Sequence, residues 1–193
     1  TLTAQDGCSS SKSIWQNMLT GAETKTVEQL GVVVETAHDR LGRKTLETIA
    51  PKTSGQAARS YSYKLAEILS DPVETRSVAA NGATTVTRLD GMSRECAIEV
   101  QDIDAVGQPM RDVYRANYDA FGQLVEEIHT DWLDDEPYAM STRYSYDDWG
   151  ARSASTGPDG VLNHDLYDPI TLTQTQGLDK AGKTVFTKNV FGK

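Results

Sequence analysis

The chain has 193 residues and carries 28 acidic against 19 basic side chains, a formal charge of −9. That balance opposes nucleic-acid binding, which depends on clustered Lys and Arg against phosphates. Only 38% of the residues are hydrophobic, and no run reaches the ~20 apolar residues of a membrane-spanning helix, so direct membrane insertion is not expected.

Thr1 to Ser11 lacks the basic and then apolar layout of a signal peptide. Residues 1–31 read as an irregular lead-in, with Gly7-Cys-Ser-Ser-Ser11 as a loop and Ile14 to Leu19 as a short apolar stretch of ambiguous type. From Val32 the texture changes: Val32-Val33-Val34 leads into a tight phrase, Asp39-Arg-Leu-Gly42, and Lys44 to Ile49 leaves it. Thr45, Glu47 and Ile49 alternate with Leu46 and Thr48, which is the period-two pattern of a strand. Arg59-Ser-Tyr-Ser-Tyr63 reads as another incoming strand, but Lys64-Leu-Ala-Glu67 breaks the phrase and marks a degenerate copy. Tyr63 to Leu69 has room for one or two helical turns before Pro72 interrupts.

Thr84 to Leu89 then enters Asp90-Gly-Met-Ser93, and Cys96 to Val100 leaves it. Val113 to Tyr118 enters Asp119-Ala-Phe-Gly122, and Leu124 to Ile128 leaves it. Thr142 to Tyr146 enters Asp147-Asp-Trp-Gly150, and Ala151 to Thr156 leaves it. Two more copies follow, Asp168-Pro-Ile-Thr171 and Asn189-Val-Phe-Gly192. The leading positions 39, 90, 119, 147, 168 and 189 are separated by 51, 29, 28, 21 and 21 residues. A quasi-regular period of this size announces a repeat architecture. Asn81-Gly82, Gly107-Gln-Pro109, Pro158-Asp-Gly160 and Lys180-Ala-Gly182 supply turns between copies. The chain therefore reads as all-β, a succession of antiparallel hairpins.

The phrase has a physical rationale. Gly at its end takes positive φ at little steric cost, and the leading Asp or Asn accepts a backbone N–H two residues on. The apolar residue between them, Leu41, Met92, Phe121, Trp149, Ile170 or Phe191, is expected to tuck into a shared apolar layer. On that expectation, replacing Trp149 with Ala costs roughly 3–5 kcal/mol. Tyr118, Tyr146 and Tyr167 stand immediately before three of the aspartates and are expected to pack across hairpins while their hydroxyls reach solvent or backbone.

The phrase with its preceding Tyr, above all Tyr144-Ser-Tyr-Asp-Asp-Trp-Gly150 followed by Pro158-Asp-Gly160, resembles the RHS or YD repeat family. Asn117-Tyr-Asp-Ala-Phe-Gly-Gln-Leu124, Tyr167-Asp-Pro-Ile170 and Asn189-Val-Phe-Gly-Lys193 look like the RHS-bearing part of the B component of bacterial insecticidal Tc toxin complexes. The resemblance covers 32–193. It implies a non-catalytic wall segment of a sheet that winds spirally into a hollow shell around a cytotoxic polypeptide, secreted from the cell. The partners implied are the remainder of the same polypeptide, an RHS-repeat C component carrying the cargo and a pore-forming A component. The propeller and amino-terminal domains of a whole B component are not in this sequence, so the resemblance implies a fragment, with Asn189 to Lys193 as the opening half of a further unit. The family's Asp-Pro-x-Gly protease signatures are not matched: Asp168-Pro-Ile-Thr171 lacks the Gly and Asp71-Pro72 stands outside any such pattern.

No nucleophile elbow, phosphate loop or paired zinc motif occurs, and no cofactor is called for. Calcium loops concentrate several acidic ligands per turn, whereas most copies here carry one. His38, His129 and His164 are separated by 91 and 35 residues and would need the fold to gather them. Asp134-Asp135-Glu136 reads as a solvated loop tip. Cys8 and Cys96 have no metal-ligand spacing, and their pairing is not legible. Two rival functions stay open: a sugar- or cell-surface-binding module using aromatics such as Trp132 and Tyr138, and a β-solenoid enzyme acting on polysaccharide.

Overall fold

Threonine, valine and isoleucine are frequent in the segments between turns, and β-branched side chains fit a half-buried pleated surface better than a helix. The structure is a computed structural model that describes residues 2–3, 9–68, 71–180 and 183–190. Every regular element among the described residues is a strand. A short ladder pairs β1 (Leu2–Thr3) with β2 (Ser9–Ser10). All later strands, β3 to β17, belong to one sheet of 15 consecutive antiparallel strands in chain order.

The chain divides into two compact units, 1–91 with 100–110, and 92–99 with 111–193. The first holds β3 (Ser13–Gln16), β4 (Glu23–Val27), β5 (Val33–His38), β6 (Lys44–Ile49), β7 (Ala57–Lys64), β8 (Val73–Val78) and β9 (Thr84–Leu89). The strand β10 (Glu95–Gln101) has its first five residues in the second unit. That unit continues with β11 (Met110–Tyr118), β12 (Leu124–Leu133), β13 (Glu136–Tyr146), β14 (Arg152–Thr156), β15 (Leu162–Asp168), β16 (Thr173–Lys180) and β17 (Lys183–Val190). The all-β hairpin fold expected from the sequence is the fold observed.

Two expectations change. Within the segment 1–31 expected to be irregular, residues 13–27 are regular: β3 and β4 form a hairpin in the main sheet, with Ile14 opposite Thr26 and Trp15 opposite Lys25. Its turn, Asn17-Met-Leu-Thr20, fits the repeat phrase as Asp168-Pro-Ile-Thr171 does, and Asn17 Oδ1 accepts the Leu19 N–H at 2.9 Å. The stretch 65–68 after β7 has no helical turn, because Tyr63 and Lys64 are already drawn into pairing with Thr75 and Glu74; Leu69 lies outside the described residues.

A third difference concerns the core. Ala116, Thr26 and Thr84 are the buried residues among those described, and no large side chain there is fully enclosed. Each strand of the 15-stranded sheet is hydrogen-bonded to its sequence neighbours, and with so few side chains enclosed the burial among the described residues is limited to what neighbouring strands cover.

Candidate functional site: the repeat turns and the bonds between them

The turn 39–43 shows how the phrase works. Gly42 N–H donates to the Asp39 carbonyl at 3.1 Å and Asp39 N–H to the Arg43 carbonyl at 2.9 Å, while Gly42 sits at φ 79°. This is a three-residue hairpin loop, a turn closed by one left-handed residue that creates a bulge. Turns 119–123 and 147–151 repeat both bonds at 2.9–3.0 Å, with Gly122 at φ 86° and Gly150 at φ 80°. At the second copy Ser93 holds the same place at φ 63°, a conformation that costs a non-glycine residue energy.

The leading aspartate closes four of these loops from within, at Asp39, Asp119, Asp147 and Asp168. Asp39 Oδ1 accepts the N–H of Leu41 at 2.8 Å and of Arg43 at 2.9 Å. Asp119 does the same for Phe121 and Gln123, and Asp147 for Trp149 and Ala151, all at 2.9 Å. Asp168 accepts from Ile170 at 2.9 Å and Thr171 at 3.3 Å, and its other oxygen takes the Thr171 hydroxyl at 2.6 Å. The bond from the Arg43 N–H, reinforced by the Arg43 guanidinium and the Leu41 N–H, holds the Asp39 carboxyl below its usual range. The Thr171 hydroxyl does likewise for Asp168. Asp90 occupies the corresponding position between β9 and β10, and Asn189 lies in β17. Phe191 and Gly192 lie outside the described residues.

The apolar residues of the phrase are corrected by the structure. Leu41, Met92, Phe121, Trp149 and Ile170 do not share a buried layer; they are 70–92% exposed. The reason is geometric: a tight hairpin loop of three or four residues projects its apolar side chain beyond the strand ends.

What joins one repeat to the next is the tyrosine. Tyr118 Oη donates to the Glu95 carbonyl at 3.0 Å and Tyr146 Oη to the Leu124 carbonyl at 2.8 Å. Each acceptor is five residues after the leading Asp of the preceding copy. Tyr63 Oη reaches the Lys44 carbonyl at 2.8 Å, again five residues after Asp39. Tyr63 thus occupies the place that the degenerate copy predicts. Tyr167 stands at the same position in β15.

Sequence reasoning missed the residue four places after the Asp. Arg43 lies over the Tyr63 ring at 4.5 Å and Arg94 over the Tyr118 ring at 3.9 Å. Arg94 Nη1 also donates to the Gly122 carbonyl at 2.6 Å, and Gln123 Nε2 to the Gly150 carbonyl at 3.4 Å. Each side chain thereby reaches from its own turn to the next one. The signal was present as Arg43, Arg94 and Gln123, long donors directly after the Gly or Ser, but Ala151 and Leu172 break the series.

Between the third and fourth turns lies an open groove of ≈ 660 Å³ lined by Phe121, Tyr144, Tyr146 and Trp149 with Asp119 and Asp147. Tyr144, one of the lining residues, donates to Glu127, and this bond, with burial, raises the phenol to about 12. Among the described residues no group of three or more His, Cys, Asp or Glu is placed to hold a metal. His129 packs against the Tyr114 ring at 5.1 Å instead. Asp134 and Asp135 do form a hairpin tip, with Asp135 paired to Arg111. Trp132 is engaged at two points: its Nε1 donates to the Asp112 carbonyl at 3.0 Å and the Arg111 guanidinium lies over its ring at 4.6 Å.

Fold and turns together define a class, an antiparallel hairpin-repeat protein whose copies are bonded turn to turn. No family model and no curated protein matches the sequence. Among solved structures, chains in the crystal structures of TcdB2-TccC3-Cdc42 and TcdB2-TccC3-TEV are similar at 10% identity, with TM-scores of 0.33 and 0.32. Each comparison covers 94% of this chain, which spans 15% of the length of the other.

Proposed function

We propose that the chain is a non-catalytic wall segment of an RHS/YD-repeat shell that encloses a cytotoxic polypeptide in a secreted, Tc-type toxin complex. The observation that carries this reading is the bond from three repeat tyrosines, Tyr63, Tyr118 and Tyr146, back to the preceding repeat. Such bonds make a continuous sheet out of hairpins that have no core of their own, which is what a wall needs and a compact enzyme does not. In this reading the remainder of the same polypeptide continues the sheet. A C component closes the shell around its cargo, and an A component supplies the pore. The sugar-binding alternative is weakened by Trp132, whose ring and N–H are already occupied within the sheet.

The test is protease protection. The whole polypeptide is co-produced with its shell-forming partner carrying a tagged cargo, and digestion of the tag is followed over time. The wall reading expects cargo cut far more slowly than the same cargo free, with protection reduced in the Tyr118→Phe/Tyr146→Phe double variant. Equal cutting of free and co-produced cargo overturns it.

A further inference from the structure

The hairpin β12–β13 extends further than its neighbour on one side. Its ladder runs from Glu126 opposite Arg143 to Leu133 opposite Glu136, whereas β14 pairs with β13 only from Arg143 to Tyr146. Residues 136–142 of β13 therefore have β12 on one edge and no strand on the other among the described residues. The direction of their backbone groups follows from the turn. Asp134 and Asp135 both have positive φ, 50° and 68°, the mark of a two-residue hairpin loop whose flanking residues exchange hydrogen bonds. Leu133 and Glu136 are that pair, and bonded pairs alternate along an antiparallel ladder. Tyr138, Met140 and Thr142 then face β12 with their N–H and C=O groups, while Pro137, Ala139 and Ser141 face outward. Pro137 offers no N–H, so the open window consists of the donors of Ala139 and Ser141 and the carbonyls of 137, 139 and 141.

The surroundings are negative. Asp131, Asp134, Asp135 and Glu136 cluster at the same end of the hairpin. Arg111 pairs with Asp135, and Arg143 with Glu126 at 3.0 Å. Asp131, Asp134 and Glu136 have no ion-pair partner among the described residues, and Tyr138 stands exposed beside them. An incoming strand gains main-chain hydrogen bonds at the edge and charge complementarity at the tip, with an aromatic face available to a cation.

We propose that the outer edge of β13 at 137–141 is a strand-addition site for an extended basic peptide segment. The partner is recognised by its unpaired backbone and by Lys or Arg at alternate positions. This inference stands apart from the wall reading and does not require it.

Fluorescence anisotropy on the full chain decides it with three labelled octapeptides. One alternates Lys and Thr, one alternates Glu and Thr, and the third is the Lys–Thr peptide with every backbone nitrogen methylated. The proposal expects saturable binding of the first and at least tenfold weaker binding of the other two. It also expects loss of binding in Ser141→Pro with the far-ultraviolet circular dichroism unchanged. Failure of the Lys–Thr peptide to bind overturns the proposal. So does equal binding of its methylated form, which would show charge attraction without strand pairing. The methylation comparison is made on unaltered protein, so it remains decisive even where Ser141→Pro disturbs the sheet. Retained binding in a folded Ser141→Pro variant places the contact elsewhere and also overturns it.

Discussion

The left-handed glycines are not equivalent, although each ends the same kind of turn. An added Cβ at Gly42 meets open space, whereas at Gly122 it lies 2.8 Å from Arg94 Nη1. Gly42→Ala therefore carries only the conformational strain, about 1–2 kcal/mol. Gly122→Ala carries that strain and also displaces Arg94 from the Gly122 carbonyl and the Tyr118 ring, roughly 1 kcal/mol more. Thermal melts of the two variants should rank Gly122→Ala below Gly42→Ala. Trp149→Ala reverses the expectation drawn from burial: with its ring exposed at the turn, truncation should change stability by no more than about 0.5 kcal/mol. A loss of several kcal/mol in denaturant unfolding would show the ring to be packed after all.

Titration belongs to the same scale. Tyr144 is raised to about 12 by the bond it donates to Glu127 and by burial, against about 10 for a phenol in an unfolded chain. Its contribution is complete below pH ~10 and is lost as the pH rises towards 12. Asp39, Glu126 and Asp168 are all lowered, by bonds from the Arg43 backbone, the Arg143 side chain and the Thr171 hydroxyl respectively. Their contribution is present above the ordinary carboxylate range, ~4, and is lost as the pH falls below that range and through their lowered folded-state values. Phenolate absorbance during alkaline titration should show late tyrosines, of which the one near 12 disappears in Tyr144→Phe while Tyr114, raised by burial, remains. Stability measured across pH should fall at both ends of the scale.

At the scale of the element, one hairpin is held to the next by a tyrosine hydroxyl and, in two places, by an arginine laid over that tyrosine. Tyr63→Phe, Tyr118→Phe and Tyr146→Phe should each cost about 0.5–1.5 kcal/mol, the worth of one net hydrogen bond. Similar losses at all three positions in denaturant melts would place Tyr63 in the repeat on energetic grounds, whereas a silent Tyr63→Phe would remove it. The strands and motif turns were legible because period-two alternation and Gly or Asn punctuation are local properties: β6 and β9 fall where Lys44 to Ile49 and Thr84 to Leu89 predict them. The hairpin at 13–27 was hidden because Asn17-Met-Leu-Thr20 carries no preceding Tyr and no Gly in fourth place. Burial of Phe121 or Trp149 was not legible at all. An apolar residue in a sequence does not say whether a second layer exists to receive it, and here both side chains stand exposed at their turns. The turn-to-turn role of Arg94 and Gln123 depends on strand register, which is fixed between copies and leaves only a faint trace within one.

At the scale of the whole molecule, the exposed surface is 13918 Å² for 21.1 kDa. A globular monomer of this mass exposes ~9,000 Å², and its unfolded chain ~31,000 Å². Folding therefore removes roughly 17,000 Å² from water here, about three-quarters of what an ordinary domain of equal length removes. Heat capacity and denaturant sensitivity both scale with that area. An ordinary chain of this length has a ΔCp of unfolding near 2.3–2.9 kcal/mol/K; this one should show about 1.7–2.2, with a urea m-value reduced in the same proportion. The contrast is sharpest for ΔCp, because the surface left uncovered includes the apolar turn residues Leu41, Met92, Phe121 and Ile170, and apolar exposure dominates the term. Scanning calorimetry of the isolated chain measures it directly. A value in the ordinary range would mean that the chain covers its own sheet in solution, by folding back or by self-association. A value that rises to the ordinary range only when neighbouring polypeptide is present would identify that polypeptide as the missing layer.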